Sequence, residues 1–295
     1  MKRITVLMGG VSAEREISLN SGRAVAAALA SRGFDVIPFD VTSEQFELPA
    51  GTDVVFIALH GTFGEDGQVQ AFLDKTGVPY TGSDAASSRD AFDKIISKHC
   101  FERHGVNTPR YEVLRQGQPR TLPLPVVVKP PRQGSSIGLA KVMREEEWAG
   151  AVELAAQYDR DILVECFIPG RELTVGVVGD QVLPIVEIRA PQGHYDYKAK
   201  YTKGATEYLC PAPIDPDATR ACQELAWKTF TALRARGLGR VDIRLTDDGV
   251  PYVLELNSIP GFTETSLLPK AARAAGIEFA ELCEKIARLA IASRA

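Results

Sequence analysis

Short apolar runs alternate with helical patterns through the first third of the chain. Strands are predicted over Ile4–Met8, Asp35–Asp40, Val54–Leu59 and Val78–Thr81, and helices from Ser12, as the N-cap, to about Ala30 and over Gln68–Lys75. A repeated strand–helix–strand order is typical of a parallel, doubly wound sheet. Ligands of such sheets bind at the carboxyl ends of the strands, where the loops Gly9–Glu16 and His60–Gly67 lie.

From about residue 90 the pattern changes to paired strands with a few long helices. Helices are predicted over Ala91–His104, capped by Asp90, and over Glu145–Gln157, Asp217–Arg236 and Phe279–Ser293. Strands are predicted over Arg110–Leu114, Pro125–Lys129, Ile162–Glu165, Leu173–Val178, Val182–Ile188, Arg240–Leu245 and Tyr252–Leu256. This combination is typical of an α+β region with antiparallel sheets. The segment Pro191–Pro216 has no periodicity and four prolines, which indicates a functional lid or a disordered stretch.

Length, charge and cysteine usage exclude several classes of protein. At 295 residues the chain is too long for one ordinary core and suggests two or three compact units. Its net charge of −4 argues against nucleic-acid binding, which requires a basic excess. No apolar run reaches the ~18–20 residues that span a bilayer, and Met1–Met8 resembles a buried strand rather than a signal peptide. The five cysteines include no Cys-x-x-Cys pair, so we expect a cytoplasmic protein without disulfides or a zinc site.

Two carboxylates and an amide are predicted to share one face of a hairpin. The turn signal Asp247–Gly249 lies midway between two polar clusters, so that Asp242 pairs with Glu255 and Arg240 with Asn257. Opposed carboxylates repel each other unless a cation lies between them. The oxygens of Asp242, Glu255 and Asn257 suit Mg²⁺ or Mn²⁺. A solvated face of mixed charge is the alternative, but the alternating apolar residues place the core on the opposite face.

Four other segments carry side chains suited to binding. Lys129 ends a strand and precedes Gly134–Gly138, a Gly/Ser loop that could offer backbone N–H groups to phosphates or be an ordinary hairpin loop. Glu14 could hold an ammonium group or stabilise a helix N-terminus. Glycines around His60 indicate a close backbone approach. Aromatics and lysines in Tyr195–Tyr201 could close over an anionic ligand, or the loop could be merely solvated.

Seven of these segments together resemble the D-alanine–D-alanine ligase family of the ATP-grasp superfamily, in the same order over nearly the whole chain. They are GGVSAEREISLNSG (Gly9–Gly22), ALHGTFGEDG (Ala58–Gly67), PYTGS (Pro79–Ser83), VVVKPPRQGSSIG (Val126–Gly138), YDYKAKY (Tyr195–Tyr201), GRVDIRL (Gly239–Leu245) and LELNSIPGFTETSLLP (Leu254–Pro269). Each segment alone is moderate evidence, whereas all of them in register are highly specific.

The resemblance implies a doubly wound parallel-sheet domain over residues 1–89 that is followed by a two-part ATP-grasp fold. Its central subdomain would cover residues 90–175, and its C-terminal subdomain, with the metal site and lid loop, residues 176–295. The implied reaction joins two D-alanines through an acyl phosphate for peptidoglycan precursor synthesis and releases ADP and phosphate. The resemblance further implies two Mg²⁺ or Mn²⁺ ions per site and a cytoplasmic homodimer that binds ATP and D-alanine, with no nucleic-acid partner and no membrane insertion.

The resemblance also assigns residues to ATP and to the metal ions. ATP would be bound by Lys94, Lys129, Glu165, Cys166, Phe167, Ile168, Glu172 and Lys200. Among these, residues 165–168 would line adenine through their backbone, and Glu172 would hold the ribose. Asp242, Glu255 and Asn257 would bind the metal ions, with Glu255 as the bridge.

The remaining assignments concern the amino-acid substrates. Glu14 would hold the ammonium group of the first D-alanine and connect through Ser135 to Tyr201, while His60 would lie near its carboxylate. The other implied sites are Arg240 and the Gly261 N–H for the oxyanion, and Ser266 and the Leu267 N–H for the carboxylate of the second substrate. Many family members carry His or Lys where this chain has Thr265, a departure that concerns second-substrate recognition. The resemblance also implies an amine rather than a hydroxy acid as the second substrate, because relatives that make D-alanyl-D-lactate generally lack a tyrosine at the position of Tyr201.

Three other functions remain open from the sequence. A ligase for another amino-acid pair would share the residues that bind ATP and differ in the residues that bind the amino acids. A non-catalytic nucleotide-binding module is disfavoured because the acidic hairpin, Arg240 and Lys129 are intact. A nicotinamide oxidoreductase is suggested by the N-terminal strand–helix pattern, but the Gly-x-Gly-x-x-Gly motif of such enzymes is absent.

Overall fold

The computed structural model describes residues 2–190 and 206–292. Its strands are β1 (Arg3–Gly9), β2 (Asp35–Val41), β3 (Val54–Ile57), β4 (Tyr111–Leu114), β5 (Val126–Lys129), β6 (Ala140–Val142), β7 (Ile162–Cys166), β8 (Arg171–Val178), β9 (Gln181–Val182), β10 (Val186–Arg189), β11 (Glu207–Leu209), β12 (Leu238–Leu245) and β13 (Pro251–Asn257). Its α-helices are α1 (Arg15–Ser31), α2 (Gln68–Thr76), α3 (Ala85–Phe92), α4 (Lys94–His104), α5 (Trp148–Ala156), α6 (Pro216–Ala232), α7 (Leu267–Ala274) and α8 (Phe279–Ala292). None of the helices in these two ranges is long and apolar enough to cross a membrane.

The N-terminal sheet is parallel, with β1 between β2 and β3. Alternate side chains of β1 enter two different cores, since Val6 packs with Leu29 of α1 and Leu7 packs with Leu73 of α2. Both faces of the sheet are therefore covered, as a doubly wound arrangement requires. The strand predicted over Val78–Thr81 is confirmed only as a single parallel bridge between Tyr80 and Val55 of β3.

Two antiparallel sheets follow, in the orders β4-β7-β5-β6 and β11-β10-β8-β12-β13, with β9 paired to β8. The predicted hairpin is confirmed in its register, since Asp242 lies opposite Glu255 and Arg240 opposite Asn257. A bulge follows Asp242 and changes the pairing of the residues beyond it. The sequence patterns missed β6, β11 and α7 and merged β9 with β10, because these elements are too short to show a period.

Two predicted helix starts are wrong. Helix α1 begins at Arg15, and Ser12 is not its cap but donates its hydroxyl to the carbonyl oxygen of His60 at 2.6 Å. The helix predicted over Ala91–His104 covers the end of α3 and the whole of α4. The two helices are separate because the backbone of Asp93 is extended and its side chain caps α4. The helix before it is capped by Asp84 instead of the predicted Asp90. Capping at Asp93 places Lys94 at the first position of α4.

Candidate functional site

Two adjoining cavities contain the described side chains that the sequence analysis singled out. The first cavity lies between the two antiparallel sheets, and the second lies at the carboxyl edge of the N-terminal sheet. The first is lined by the predicted ATP residues Lys94, Lys129, Glu165, Cys166, Phe167, Ile168 and Glu172. The second is lined by Glu14, His60, Ser135, Arg240, Gly261, Ser266 and Leu267. Gly134, Ser135 and Glu255 line both cavities, whereas Lys200 and Tyr201 lie outside the described residues.

The carboxylate of Asp242 is held by donors on three strands. Its Oδ1 accepts hydrogen bonds from Thr174 Oγ1 at 2.6 Å and from Arg240 Nε at 2.9 Å. Its Oδ2 accepts from Arg240 Nη2 at 2.8 Å and from Asn257 Nδ2 at 3.1 Å. On the facing strand, Glu255 Oε2 lies 3.1 Å from Lys94 Nζ. These bonds orient the two opposed carboxylates at the junction of the cavities.

The donor set at this junction fits Mg²⁺. Within residues 2–190 and 206–292, no group of three or more His, Cys, Asp or Glu side chains could hold a metal ion alone. The hairpin supplies two carboxylates and the amide oxygen of Asn257. Mg²⁺ is usually bound by one or two carboxylates and completes its shell with water and substrate phosphates. The hairpin therefore suits an ion that arrives with a phosphorylated ligand.

Glu165 lies between two lysines at the wall of the first cavity. Its Oε2 is 2.6 Å from Lys129 Nζ, and its Oε1 is 2.5 Å from Lys98 Nζ. Burial disfavours the charged carboxylate, but the two ammonium groups outweigh it and hold the pKa of Glu165 below its usual range. The sequence analysis missed Lys98, although it lies one helical turn after Lys94 on α4.

Arg244 is a second residue that the sequence analysis missed. It lies 3.2 Å from Glu172, and it donates to the carbonyl oxygens of Ile168 at 3.2 Å and Gly170 at 2.6 Å. Its guanidinium is 5.9 Å from the ring centroid of Phe167, which Lys141 Nζ also approaches at 5.1 Å. These contacts fix the wall of the first cavity that carries residues 167–172.

The Gly/Ser loop reaches the second cavity through Ser135, whose hydroxyl donates a hydrogen bond to Glu14 Oε1. The close backbone approach that the glycines around His60 predict is confirmed at Gly61, which has φ +73°. A Cβ there would lie 2.9 Å from Glu14 Oε2. A side chain at this position would therefore displace the carboxylate that faces the cavity.

His60 is buried at the end of the strand that it follows. Its Nδ1 lies 3.2 Å from the carbonyl oxygen of Ile259, so this nitrogen carries a proton in the pairing. Its Nε2 lies 3.0 Å from Ser21 Oγ, and the backbone N–H of Phe262 donates to Ser21 Oγ at 3.2 Å. The ring is thus held between α1 and the segment that precedes α7.

Helix α7 begins at the second cavity, with Ser266 as its N-cap. Ser266 Oγ accepts from Thr263 N at 3.0 Å, and Thr263 Oγ1 lies 3.2 Å from Thr265 Oγ1. The first N–H groups of a helix and its dipole attract anions. A carboxylate in the second cavity is therefore favoured next to Leu267.

Comparison with known proteins shows the family of the chain. The family model described as "D-ala D-ala ligase C-terminus" matches residues 96–288, and "D-ala D-ala ligase N-terminus" matches residues 3–50 and 44–83. The chain belongs to the D-alanine–D-alanine ligase family. It is 50% identical to the D-alanine–D-alanine ligase of Methylacidiphilum infernorum over 97% of this chain and 94% of that protein. The enzyme of Syntrophotalea carbinolica is 49% identical over 97% of this chain and 95% of its own.

Solved structures of D-alanine–D-alanine ligases and a related ligase have the same fold. The D-alanine–D-alanine ligase of Bacillus anthracis matches with a TM-score of 0.90 at 33% identity, covering 100% of this chain and 99% of its own. A second structure of that enzyme, complexed with ATP, matches with a TM-score of 0.87 at 30% identity and the same coverage. The VanG D-Ala:D-Ser ligase of Enterococcus faecalis matches with a TM-score of 0.85 at 30% identity, covering 98% of this chain and 99% of its own. The predicted fold class, a parallel-sheet domain followed by an ATP-grasp fold, is confirmed.

Arg132 anchors the Gly/Ser loop of this D-alanine–D-alanine ligase family member. Its guanidinium donates to Asp93 at 2.8 Å, to Asp159 at 2.8 Å and to Asp161 at 3.0 Å. The other oxygen of Asp93 caps α4, so one carboxylate links the loop to the helix that presents Lys94. Arg132 was not singled out from the sequence, because its partners come from two segments that are distant in the chain, at Asp93 and at Asp159–Asp161.

We expect Arg132→Met to lower the free energy of unfolding by about 1–2 kcal/mol, since three carboxylates lose a charged donor that is itself 40% exposed. Urea denaturation measures this loss. Hydrogen bonding to Arg132 lowers the pKa of Asp161, so the stabilisation is present near neutral pH and is lost as the pH falls through the carboxyl range. Arg220→Met removes an exposed pair with Asp217 and should leave the midpoint nearly unchanged. Equal losses in both variants would contradict the anchoring role.

Proposed function

We propose that the protein joins two D-alanine molecules into D-alanyl-D-alanine, a peptidoglycan precursor, and converts ATP to ADP and phosphate. One observation carries the proposal: Glu255, opposite Asp242, lines both cavities. A phosphoryl group bound at the acidic hairpin would therefore face both the nucleotide and the amino-acid substrates. Membership in a ligase family supports the same reaction.

The first cavity would bind ATP and direct its γ-phosphate towards Glu255. Lys94 and Lys129 would neutralise the phosphates, Glu172 would hold the ribose, and residues 165–168 would line the adenine. Lys200 would join them when the lid loop closes. An oxygen of the first D-alanine carboxylate attacks the γ-phosphorus, and ADP leaves as the acyl phosphate forms. Such a transfer depends mainly on positioning and charge neutralisation.

The second cavity would hold both amino acids. Glu14, with Ser135 and Tyr201, would bind the ammonium of the first D-alanine, and His60 would lie near its carboxylate. The free amine of the second D-alanine then attacks the acyl carbon, and phosphate leaves from the tetrahedral intermediate. Before the attack the ammonium group of this second substrate gives up one proton to water, and the departing phosphate takes the second proton as the amide forms.

Fixed donors in the second cavity would stabilise the charges of this step. Arg240 and the N–H of Gly261 would stabilise the oxyanion of the tetrahedral intermediate. The carboxylate of the second D-alanine would bind at the start of α7, to Ser266 and the N–H of Leu267. The acyl phosphate must be kept from water, which the closed lid would do.

We also propose that Asp242, Glu255 and Asn257 would hold two Mg²⁺ or Mn²⁺ ions. When bound, these ions would neutralise the phosphate charge that develops during transfer. The two opposed carboxylates of the hairpin support this assignment. Arg240 and Lys94 already offset the charges of Asp242 and Glu255, so the support for the assignment is the set of oxygen donors that the hairpin places together.

The organisation of the chain completes the proposal. Three units would cover residues 1–89, 90–175 and 176–295, with α3 and β8 running across the two boundaries. The five free cysteines support a reducing cytoplasm. The protein would act there as a homodimer, an expectation that rests on the family resemblance.

A coupled ADP-release assay with Mg²⁺, ATP and D-alanine tests the proposal. We expect ADP release that depends on D-alanine, no release with L-alanine, and a product with the mass of the dipeptide. If ADP release required D-serine or D-lactate as the second substrate, the product would contain that residue in place of the second D-alanine. The absence of release with all these pairs would contradict the proposed function.

A further inference from the structure

One buried carboxylate holds two ammonium groups next to the first cavity. Lys98 Nζ and Lys129 Nζ lie 2.5 and 2.6 Å from the two oxygens of Glu165. The side chains of Lys98 and Glu165 are 1% and 2% exposed. Lys129 and Glu165 line the cavity, whereas Lys98 lies behind them.

The charges of this cluster do not balance. Two ammonium groups and one carboxylate leave one excess positive charge where water hardly reaches, and a buried charge is costly unless it is paired. Lys129 and Glu165 without Lys98 would form a neutral pair. With Lys98 present, the excess charge lies at the wall of the cavity and would be balanced by an anion bound there.

Other contacts keep Lys98 pointed at Glu165. Thr108 Oγ1 lies 2.5 Å from Lys98 Nζ, and the ring centroid of Tyr111 lies 5.6 Å from it. Thr108 donates its own hydroxyl to the carbonyl oxygen of Val253 at 2.7 Å, so it is free to accept from Lys98. The lysine is therefore held by Thr108 and Tyr111 as well as by Glu165.

We propose that Lys98 is a positioning residue for ATP, which neutralises Glu165 from behind so that the ammonium group of Lys129 keeps its charge for the nucleotide phosphates. This inference rests on the proposed function. Lys98 does not line the first cavity and would act through Glu165 and Lys129. Its contribution is electrostatic and depends on the charge of the ligand.

Lys98→Met should weaken ATP binding and spare adenosine. We expect the Kd for ATP to rise about tenfold or more, ~1.4 kcal/mol per tenfold, and the Kd for uncharged adenosine to change by less than about twofold. Isothermal titration calorimetry with Mg²⁺-ATP and with adenosine measures both. Lys285→Met, which removes a lysine bound to Gln181 far from the cavity, is the matched control and should leave both constants unchanged.

The pH dependence of ATP binding gives a second readout. Burial is the main cause that lowers the pKa of Lys98 to about 8, with Lys129 adding to this effect and Glu165 and Glu102 opposing it. Tyr111, whose pKa is raised to about 12, stays protonated in this range. The Kd for ATP should therefore rise between about pH 7 and pH 9 in the wild-type protein. In Lys98→Arg the charge persists, and the rise should be much smaller.

The outcomes separate the two proposals. Wild-type protein that binds no ATP would overturn both the proposed function and the role of Lys98. ATP binding by Lys98→Met as tight as in the wild type, or an equal loss of ATP and adenosine, would overturn the role of Lys98 alone. Melting temperatures of the variants establish that the compared proteins are folded.

Discussion

Glu255→Gln should reduce the turnover of dipeptide formation by about 10³-fold or more. Glu255 lies opposite Asp242 and lines both cavities, and the substitution removes its charge while keeping its size. The amide oxygen can still accept from Lys94 Nζ, now 3.1 Å from the carboxylate, so the fold should persist. Stabilisation of transferring phosphate by a bound metal ion is worth several kcal/mol, and ~4 kcal/mol corresponds to about 10³-fold.

Turnover of this variant should be measured over a range of Mg²⁺ concentrations, with product detected by mass. We expect both ADP release and dipeptide formation to fall together, because phosphoryl transfer comes first. Glu281→Gln, which neutralises an exposed carboxylate of α8, is the matched control and should turn over like the wild type. Near-wild-type turnover of Glu255→Gln would remove the metal assignment.

The acidic hairpin could be predicted from the sequence because its geometry is local. A turn signal fixes the pairing of Asp242 with Glu255, and the two-residue period of strands then decides which side chains share a face. The confirmed register shows that these two rules suffice even with a bulge beside the site. The loop that carries Glu14 could be placed by a different rule, because the loops that follow parallel strands lie at one edge of the sheet.

The lysine cluster could not be predicted in this way. Lys98 meets Glu165 only because α4 packs beside β7, and no local pattern records that contact. The start of α4 was also missed, since Asp90 and Asp93 are both suitable N-caps and the sequence does not show which of them begins the helix. Tyr201 lies outside the described residues, so its part in the lid stays a prediction.

Arg240→Met should lower dipeptide formation by about 10²–10³-fold, the usual effect of removing one oxyanion donor. Arg240 lines the second cavity and holds both oxygens of Asp242, at 2.9 and 2.8 Å. Its proposed part in the oxyanion step begins only after ADP has left the acyl phosphate. The variant should therefore still release ADP, and the unprotected acyl phosphate should be lost to water.

The ratio of dipeptide to ADP distinguishes this role from an effect on the metal site. We expect the ratio to fall well below the wild-type value in Arg240→Met, whereas Glu255→Gln should lower both products alike. Arg240→Lys keeps the positive charge but not the bidentate hydrogen bond to Asp242, so it should lose less activity than Arg240→Met. If ADP release fell as far as dipeptide formation, Arg240 would act by orienting Asp242 for phosphoryl transfer, and the oxyanion would have to be stabilised by other donors such as the N–H of Gly261.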